Sequence, residues 1–288
     1  MKYGGFKYTN LNNIGDHIQS LAAEQFLTNV SVRINRDTIS NYVGTEPVMM
    51  IMNGWFSHDP ETCFPPSSDI HCIYWGYHIT SYNNSWEYIA KPDSLAHLKA
   101  HEPIGCRDRF TTEKLKTMGI ISFYSKCLTL TFPHRGKLSS KGYSFLVDVD
   151  QIDIPECLHK NSIKISHFVP NNLPEKVKFI YARYLINLYK EQAKLVITTK
   201  LHCALPCIAM GIPVVFFGNE NDYRISVLKD IGVEINPLPI GHNIPSVNHC
   251  KEVIWNPKPI DFEEEKIGMI KLLKEMLNRK INSIGFTS

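Results

Sequence analysis

The sequence predicts an α/β protein built on parallel sheets covered by helices. Short β-rich apolar runs alternate with amphipathic helical stretches along the chain, which is the pattern of βα units. A length of 288 residues and a mass of 33.0 kDa exceed what one hydrophobic core usually serves, so two modest domains or one large α/β domain are expected. The composition, 43% hydrophobic and 20% charged with ordinary Gly and Pro levels, is that of a globular chain without collagen-like or disordered bias.

In the first half, Ile14, Ile18, Leu21, Ala22 and Phe26 recur at spacings of three and four, marking a helix that follows the turn NLNNIGD. Val48 to Met52 reads as a buried strand that runs straight into Asn53-Gly54-Trp55 and a Pro-rich loop. DIHCIYWGYHI, EPIGCRD, the helix FTTEKLKTMG, IISFY, CLTLTF and YSFLVDVD continue the alternation, and the first unit is expected to end near residue 155.

The second half opens with KISHFV as a strand. A long helix then runs from about Pro174 to Gln192, with Val177, Ile180, Tyr184, Leu185 and Leu188 on one face and Pro174 in its first turn. The strand KLVITT, the helix HCALPCIAMG, the strand PVVFF, a helix around ISVLKDIG and a final helix through FEEEKIGMIKLLKEMLNRK complete the chain. Gly211 is placed to stop its helix, and Pro213 to begin the next strand where no ladder donor is needed.

Thirty-one Lys plus Arg against 28 Asp plus Glu leave a formal charge of +3, too slight to imply nucleic acid as a partner. The N-terminus lacks a long apolar run, and VMMIM and PVVFF fall far short of a membrane span, so a cytoplasmic protein without an integral membrane segment is expected. The eight cysteines lie scattered in apolar surroundings. Reduced thiols are therefore expected, with no disulfide framework and no structural zinc. Cys203 and Cys207, one helical turn apart beside His202, have no CxxC pair or second ligand cluster to support them as a metal site.

Ligands of open α/β sheets gather where strands end and helices begin. Four segments qualify: Asn12 to Gln19, Asn53 to His58, Gly105 to Arg109, and Thr198 to His202. In the last, a strand delivers Lys200, Leu201 and His202 to a helix start, so a cation, an imidazole and N–H donors could face one anion. A solvated lysine and a capping or core histidine explain the same spacing equally well. Arg107, Asp108 and Arg109 offer a guanidinium fork for carboxylate or phosphate, or an Arg–Asp pair that only closes the turn. Asp16, with His17 beside it, lies in a first helical turn, where a carboxylate gains about 0.3–1 kcal/mol from the helix dipole alone. Trp55, Phe56, Trp75, Tyr77 and His78 form either a sugar-stacking platform or core or rim packing. There is no GxGxxG, Walker or GxSxG motif.

In this order, NIGDHIQSLAAEQFL, VMMIMNGWFSH, EPIGCRDRFTTEKLKTMGI, SKCLTLTF and AKLVITTKLHCALPCIAMGIPVVF resemble the polysaccharide pyruvyltransferase family. The resemblance spans most of residues 1 to 220. It implies a GT-B-like fold: two Rossmann-like α/β/α domains, residues 1–155 on the acceptor side and 156–288 on the donor side, with the cleft between them. The last helix is expected to return to the first domain. The family's best understood members move pyruvate from phosphoenolpyruvate onto a sugar as a ketal, which implies exopolysaccharide or glycan biosynthesis and no metal or other cofactor. The implied partner is a carbohydrate acceptor, glycan or lipid-linked saccharide, and a homo-oligomer is compatible with the sequence.

Residue by residue, the family's Arg-Leu-His motif falls on Lys200, Leu201 and His202 and its N-domain arginine on Arg107, so these positions are the implied donor site. Gly15 and Asp16 match the family's N-terminal loop, and His202 and Asp16 are the candidate proton carriers. Asn53, Trp55, His58 and His78 are candidate acceptor contacts. The chain departs from the family at Lys200, where arginine is common, and at Lys126, where many relatives have glycine. Lysine keeps the charge and loses the bidentate fork. Two other readings of the same fold follow: a GT-B-like glycosyltransferase using a nucleotide sugar, and a catalytically degenerate carbohydrate-binding protein.

Overall fold

The computed structural model describes residues 2–56, 59–80, 84–136, 142–238 and 253–284. The chain divides into two compact units, one of Met1–Leu11, Gln19–Leu128 and Ile267–Ser288, the other of Asn12–Ile18 and Thr129–Lys266.

The first unit holds a parallel sheet in the order β2-β1-β3-β4, made of β1 (Lys2–Lys7), β2 (Val30–Asn35), β3 (Val48–Met52) and β4 (Ile70–Tyr74). All five residues of β3 are buried, as an unbroken apolar run VMMIM requires when both sheet faces are covered. Such a strand leaves little room beside it. A Cβ at Gly4 of β1 would stand 2.6 Å from Val48 Cγ1 and 2.8 Å from Met50 Cγ, so only glycine fits there. The helices are α1 (Gly15–Glu24), whose first turn belongs to the second unit, then α2 (Pro60–Cys63), α3 (Ser85–Ile89), α4 (Pro92–Ala100) and α5 (Arg109–Thr117). A second parallel pair, β5 (Ile104–Cys106) and β6 (Ser122–Tyr124), brackets α5. CLTLTF contributes a 3-10 turn, Leu128–Thr131.

The second unit is a five-stranded parallel sheet in the order β11-β10-β9-β7-β8. Its strands are β7 (Tyr143–Val147), β8 (Ser162–Ile165), β9 (Ala193–Thr198), β10 (Val214–Gly218) and β11 (Ile235–Pro237). The helices are α6 (Glu156–His159), α7 (Glu175–Gln192), α8 (Leu201–Ala209), α9 (Ser226–Asp230) and α10 (Glu263–Ser283), the last continuing into the first unit. Leu146, Val149, Ile154, Leu195, Ile197, Val215 and Phe217 form one buried cluster in this unit. His17 is a core residue here: its Nε2 lies 3.2 Å from Glu175 Oε2 and its ring meets Phe179 edge-on at 4.9 Å.

The structure corrects three expectations. Strand β7 lies inside the second sheet, between β8 and β9, so the sheets divide ahead of Tyr143 rather than near residue 155. An apolar strand carries no mark of the sheet it joins. On α7 the buried face is Lys178, Phe179, Ala182, Leu185, Ile186 and Tyr189, while Val177, Ile180 and Tyr184 are exposed. The periodicity misleads because a lysine belongs to the buried stripe: Lys178 is 1% exposed and its ammonium donates to Asn171 O at 3.0 Å. Pro174 is the N-cap of α7, one position ahead of the first turn.

The seven described cysteines are free thiols, all buried except Cys157, and Cys250 lies outside the described residues. Burial pushes the Cys63 thiol up to about 11 and the Cys72 thiol up to about 12. No helix among the described residues is long and apolar enough to cross a membrane.

Gly211 ends α8 at φ +74°, with the His134 ring where a side chain would go. Gly211→Ala should lower stability by about 1–2 kcal/mol in a denaturant titration, from the left-handed backbone cost together with the clash.

Candidate functional site

Both sheets reverse direction beside their first strand. In the second unit β8 lies on one side of β7 and β9 on the other; in the first, β2 and β3 flank β1 in the same way. Connections that leave on opposite sides open a crevice at the carboxyl ends of the two central strands. The polar groups at those ends are the ones to read.

In the second unit, β7 ends at Asp148 and β9 at Thr198-Thr199-Lys200. Asp148 takes a left-handed backbone, φ +52°, unusual for a residue with a side chain. Its carboxylate accepts from Ser166 Oγ at 2.6 Å and His167 N at 3.0 Å, and its carbonyl accepts from Thr199 Oγ1 at 2.9 Å. These bonds tie the ends of β7, β8 and β9 together. Lys200 is the N-cap of α8, its N–H donating to Thr198 Oγ1 at 2.9 Å. Its ammonium lies 3.9 Å from Asp148 Oδ2 and 3.9 Å from the centroid of the Phe168 ring. Burial lowers its pKa and Asp148 opposes that shift. A long ion pair and one cation–π contact are together worth about 1–2 kcal/mol, less than charge-assisted bonds to a bound anion supply.

The start of α1 reaches the same strand ends. Asn13 bridges Phe168 in antiparallel fashion, Ile14 N–H donates to His167 O at 2.9 Å, and Asn13 Oδ1 accepts from Gly15 N at 2.9 Å. Gly15 lies directly against the His202 ring. His202 has φ −84° and ψ 15°, a kink inside the first turn of α8 that sets its ring apart from the regular helix. The structure therefore brings the Gly15-Asp16 loop, Lys200 and His202 to one edge of the second unit. Leu201 opens α8 and is half-buried.

Arg107 belongs to the first unit, at the β5–α5 junction. It is 5% exposed, its N–H donates to Tyr77 O at 2.9 Å, and its buried Nε–H has no hydrogen-bond partner among the described residues. Asp108, fully buried, caps α5 by accepting from Thr111 N at 2.7 Å. Its other oxygen accepts from Thr111 Oγ1 at 3.0 Å and from His78 Nδ1 at 2.7 Å. Burial alone would raise this carboxyl; the hydrogen bond and charge of His78, then Arg107 and the Thr111 N–H, outweigh it and hold the pKa below the ordinary range. Asp108 thus both caps α5 and pairs with His78. The Asp108 cap was visible in the sequence as Asp-x-x-Thr; His78, thirty positions upstream, was not tied to it by any local pattern.

Of the candidate acceptor contacts, His78 is 1% exposed and held by Asp108, and Asn53 is equally buried with its amide used by the chain. Asn53 Nδ2 donates to Gln19 O at 3.0 Å and its Oδ1 accepts from Leu128 N at 3.4 Å, so it shapes the loop after β3. Trp55 is half-buried and bridges His78. His58 lies outside the described residues. Lys126 adopts φ +58°, a left-handed backbone that glycine takes without strain, and its ammonium lies 4.8 Å from the Tyr124 ring centroid.

The sequence pattern of the polysaccharide pyruvyl transferase family matches residues 13–221, well over half of the chain. The chain belongs to that family. The matched span of this polysaccharide pyruvyl transferase family member includes Arg107, Asp108 and the Lys200–His202 segment. Among solved structures, an uncharacterized protein from Klebsiella pneumoniae subsp. pneumoniae NTUH-K2044 is 16% identical, with a TM-score of 0.48 over 79% of this chain and 88% of that one. The Methanocaldococcus jannaschii UDP-GlcNAc 2-epimerase, in complex with UDP-GlcNAc and UDP, is 10% identical, with a TM-score of 0.45 over 96% of this chain and all of that one. No curated protein sequence matches the chain.

Asp108→Ala removes a helix cap and leaves His78 and Arg107 without their carboxylate. Denaturant unfolding should report a loss of about 3 kcal/mol or more. Because the folded carboxyl titrates below its unfolded value, the Asp108 contribution is present above the ordinary carboxylate range and fades as pH falls through the lowered pKa. The stability difference between wild type and Asp108→Asn should therefore shrink in acid.

Proposed function

We propose that this family member transfers a pyruvyl group from phosphoenolpyruvate to two hydroxyls of a sugar in a glycan or polysaccharide, forming a ketal and releasing phosphate. The observation that carries the reading is the Arg107 guanidinium, buried with an unpartnered Nε–H inside the family-matched span. Leaving such a donor unpaired is costly, and a bidentate anion such as a carboxylate or phosphate satisfies it. The proposed fold is GT-B-like.

In this reading Arg107 and Lys200 hold the carboxylate and phosphate of the donor, and the first-turn N–H groups of α8 add preorganised donors. A proton is delivered to C3 of the enol, placing oxocarbenium character on C2. The first sugar hydroxyl attacks C2 and gives up its proton. The second hydroxyl then displaces phosphate, its proton leaving with the phosphate. His202 carries the proton, its ring set against the Gly15-Asp16 loop, and Asp16 is the alternate carrier. Trp55 flanks the acceptor sugar, and no metal enters this transfer.

Three substitutions test the reading with phosphoenolpyruvate. Arg107→Ala should weaken donor binding by about 1.5–3 kcal/mol in calorimetry. His202→Ala should lower kcat more than it raises KM. Lys200→Arg, which restores the fork, should keep or raise activity. A thermal-shift panel of phosphoenolpyruvate and nucleotide sugars decides the donor: stabilisation by a nucleotide sugar alone, with Lys200→Arg inactive, makes the protein a glycosyltransferase. Saccharide binding with turnover of neither donor makes it a binding protein.

A further inference from the structure

A second cluster of chemically capable side chains lies in the first unit, among residues given no part in donor or acceptor recognition. Cys72 sits on β4 and is 1% exposed; His97 and His101 stand one turn apart at the C-terminal end of α4. One ligand atom from each of the three lies within 4.8 Å of the other two.

The hydrogen bonds fix the free nitrogen of His101, and in the tautomer whose Nε2–H donates to Tyr74 they free Nδ1 of His97. His101 Nδ1 lies 2.8 Å from His97 O, and a carbonyl only accepts, so Nδ1 carries the proton and Nε2 carries the lone pair. His97 Nε2 is engaged by Tyr74 Oη at 2.8 Å, which leaves Nδ1 as its second ring nitrogen. The imidazoles stack with centroids 4.2 Å apart and planes 28° apart, and Tyr74 shares the strand face of Cys72 two residues on. Partners on the far nitrogens, a backbone carbonyl for one ring and a phenol for the other, are the outer-shell arrangement that orients metal-binding histidines.

We infer that Cys72, His97 and His101 form a divalent metal site of zinc type that fastens α4 to β4. In a tetrahedral zinc site, donor atoms stand about 3.3–3.7 Å apart, so small rotamer changes close the cluster. One thiolate and two imidazoles suit zinc, while the cluster has no carboxylate to favour magnesium or calcium. Binding replaces the Cys72 S–H bond with an S–Zn bond and releases the proton to solvent, and water takes the fourth position beside the half-exposed histidines. Among the described residues, the charged and titratable groups facing the cluster include Lys280 of α10, His71 and Tyr74 of β4, and Tyr77. The Lys280 ammonium opposes a cation, so removing it should favour the metal. This site departs from the sequence expectation of no structural zinc, which rested on the scatter of the eight cysteines through apolar runs.

The test uses the full chain after chelator treatment, titrated with Co2+ and then Zn2+. One equivalent of Co2+ should bind with a near-ultraviolet sulfur-to-cobalt absorption and tetrahedral visible bands; Zn2+ should displace it and raise Tm. Cys72→Ser should abolish the sulfur band. His101→Gln, at the half-exposed ligand, should keep native circular dichroism and weaken Zn2+ binding at least about tenfold, so it decides the matter if Cys72→Ser fails to fold. Lys280→Gln should tighten binding. The proposal is overturned by sub-stoichiometric binding, by cobalt bound without a thiolate band, by a band that survives Cys72→Ser, or by unchanged affinity in His101→Gln.

Discussion

A parallel strand cannot be followed directly by its neighbour; the chain must cross over before the next strand begins. Each unit meets this constraint by building outward on both sides of its first strand, β1 in one and β7 in the other. The strand ends then diverge at the carboxyl edge, and loops there have no ladder to fill. That is where Asp148 adopts its left-handed backbone, where Lys200 caps α8, and where the loop carrying Asn53 follows β3. The positions of Asp148, Lys200 and Asn53 follow from strand order before any property of their side chains is considered.

Side-chain chemistry then separates residues that hold the edge from residues that can serve a ligand. Asp148, Asn53 and the His78–Asp108 pair spend the hydrogen bonds described above on the protein itself, and they fix loop shape. Arg107 and Lys200 are held less completely, one with a buried donor unused and the other by two weak contacts. Each of these cations, within its own unit, keeps hydrogen-bonding capacity that an anion would satisfy.

Much of this was legible in the sequence. The strands VMMIM, LVITT and VVFF and the helices after Asn13, Asp108 and Lys200 follow from apolar runs and capping residues, and they locate the junctions. Three things were not. The placement of β7 in the second sheet depends on pairing, which a single strand does not encode. The buried face of α7 was hidden because Lys178 reads as solvent-facing until a carbonyl is found for its ammonium. His78–Asp108 and Cys72–His97–His101 join residues about 25 to 30 positions apart, and local spacing cannot pair side chains across a strand and a helix.

The absence of a side chain at Gly4 has a consequence for how this chain can change over time. The volume that a Cβ would occupy is already filled by the side chains of Val48 and Met50, from the strand next to it. Interiors tolerate exchanges that conserve volume far better than additions or deletions. A larger residue at position 4 is admissible only together with a smaller one at 48 or 50, so the three positions should drift as a correlated group among relatives.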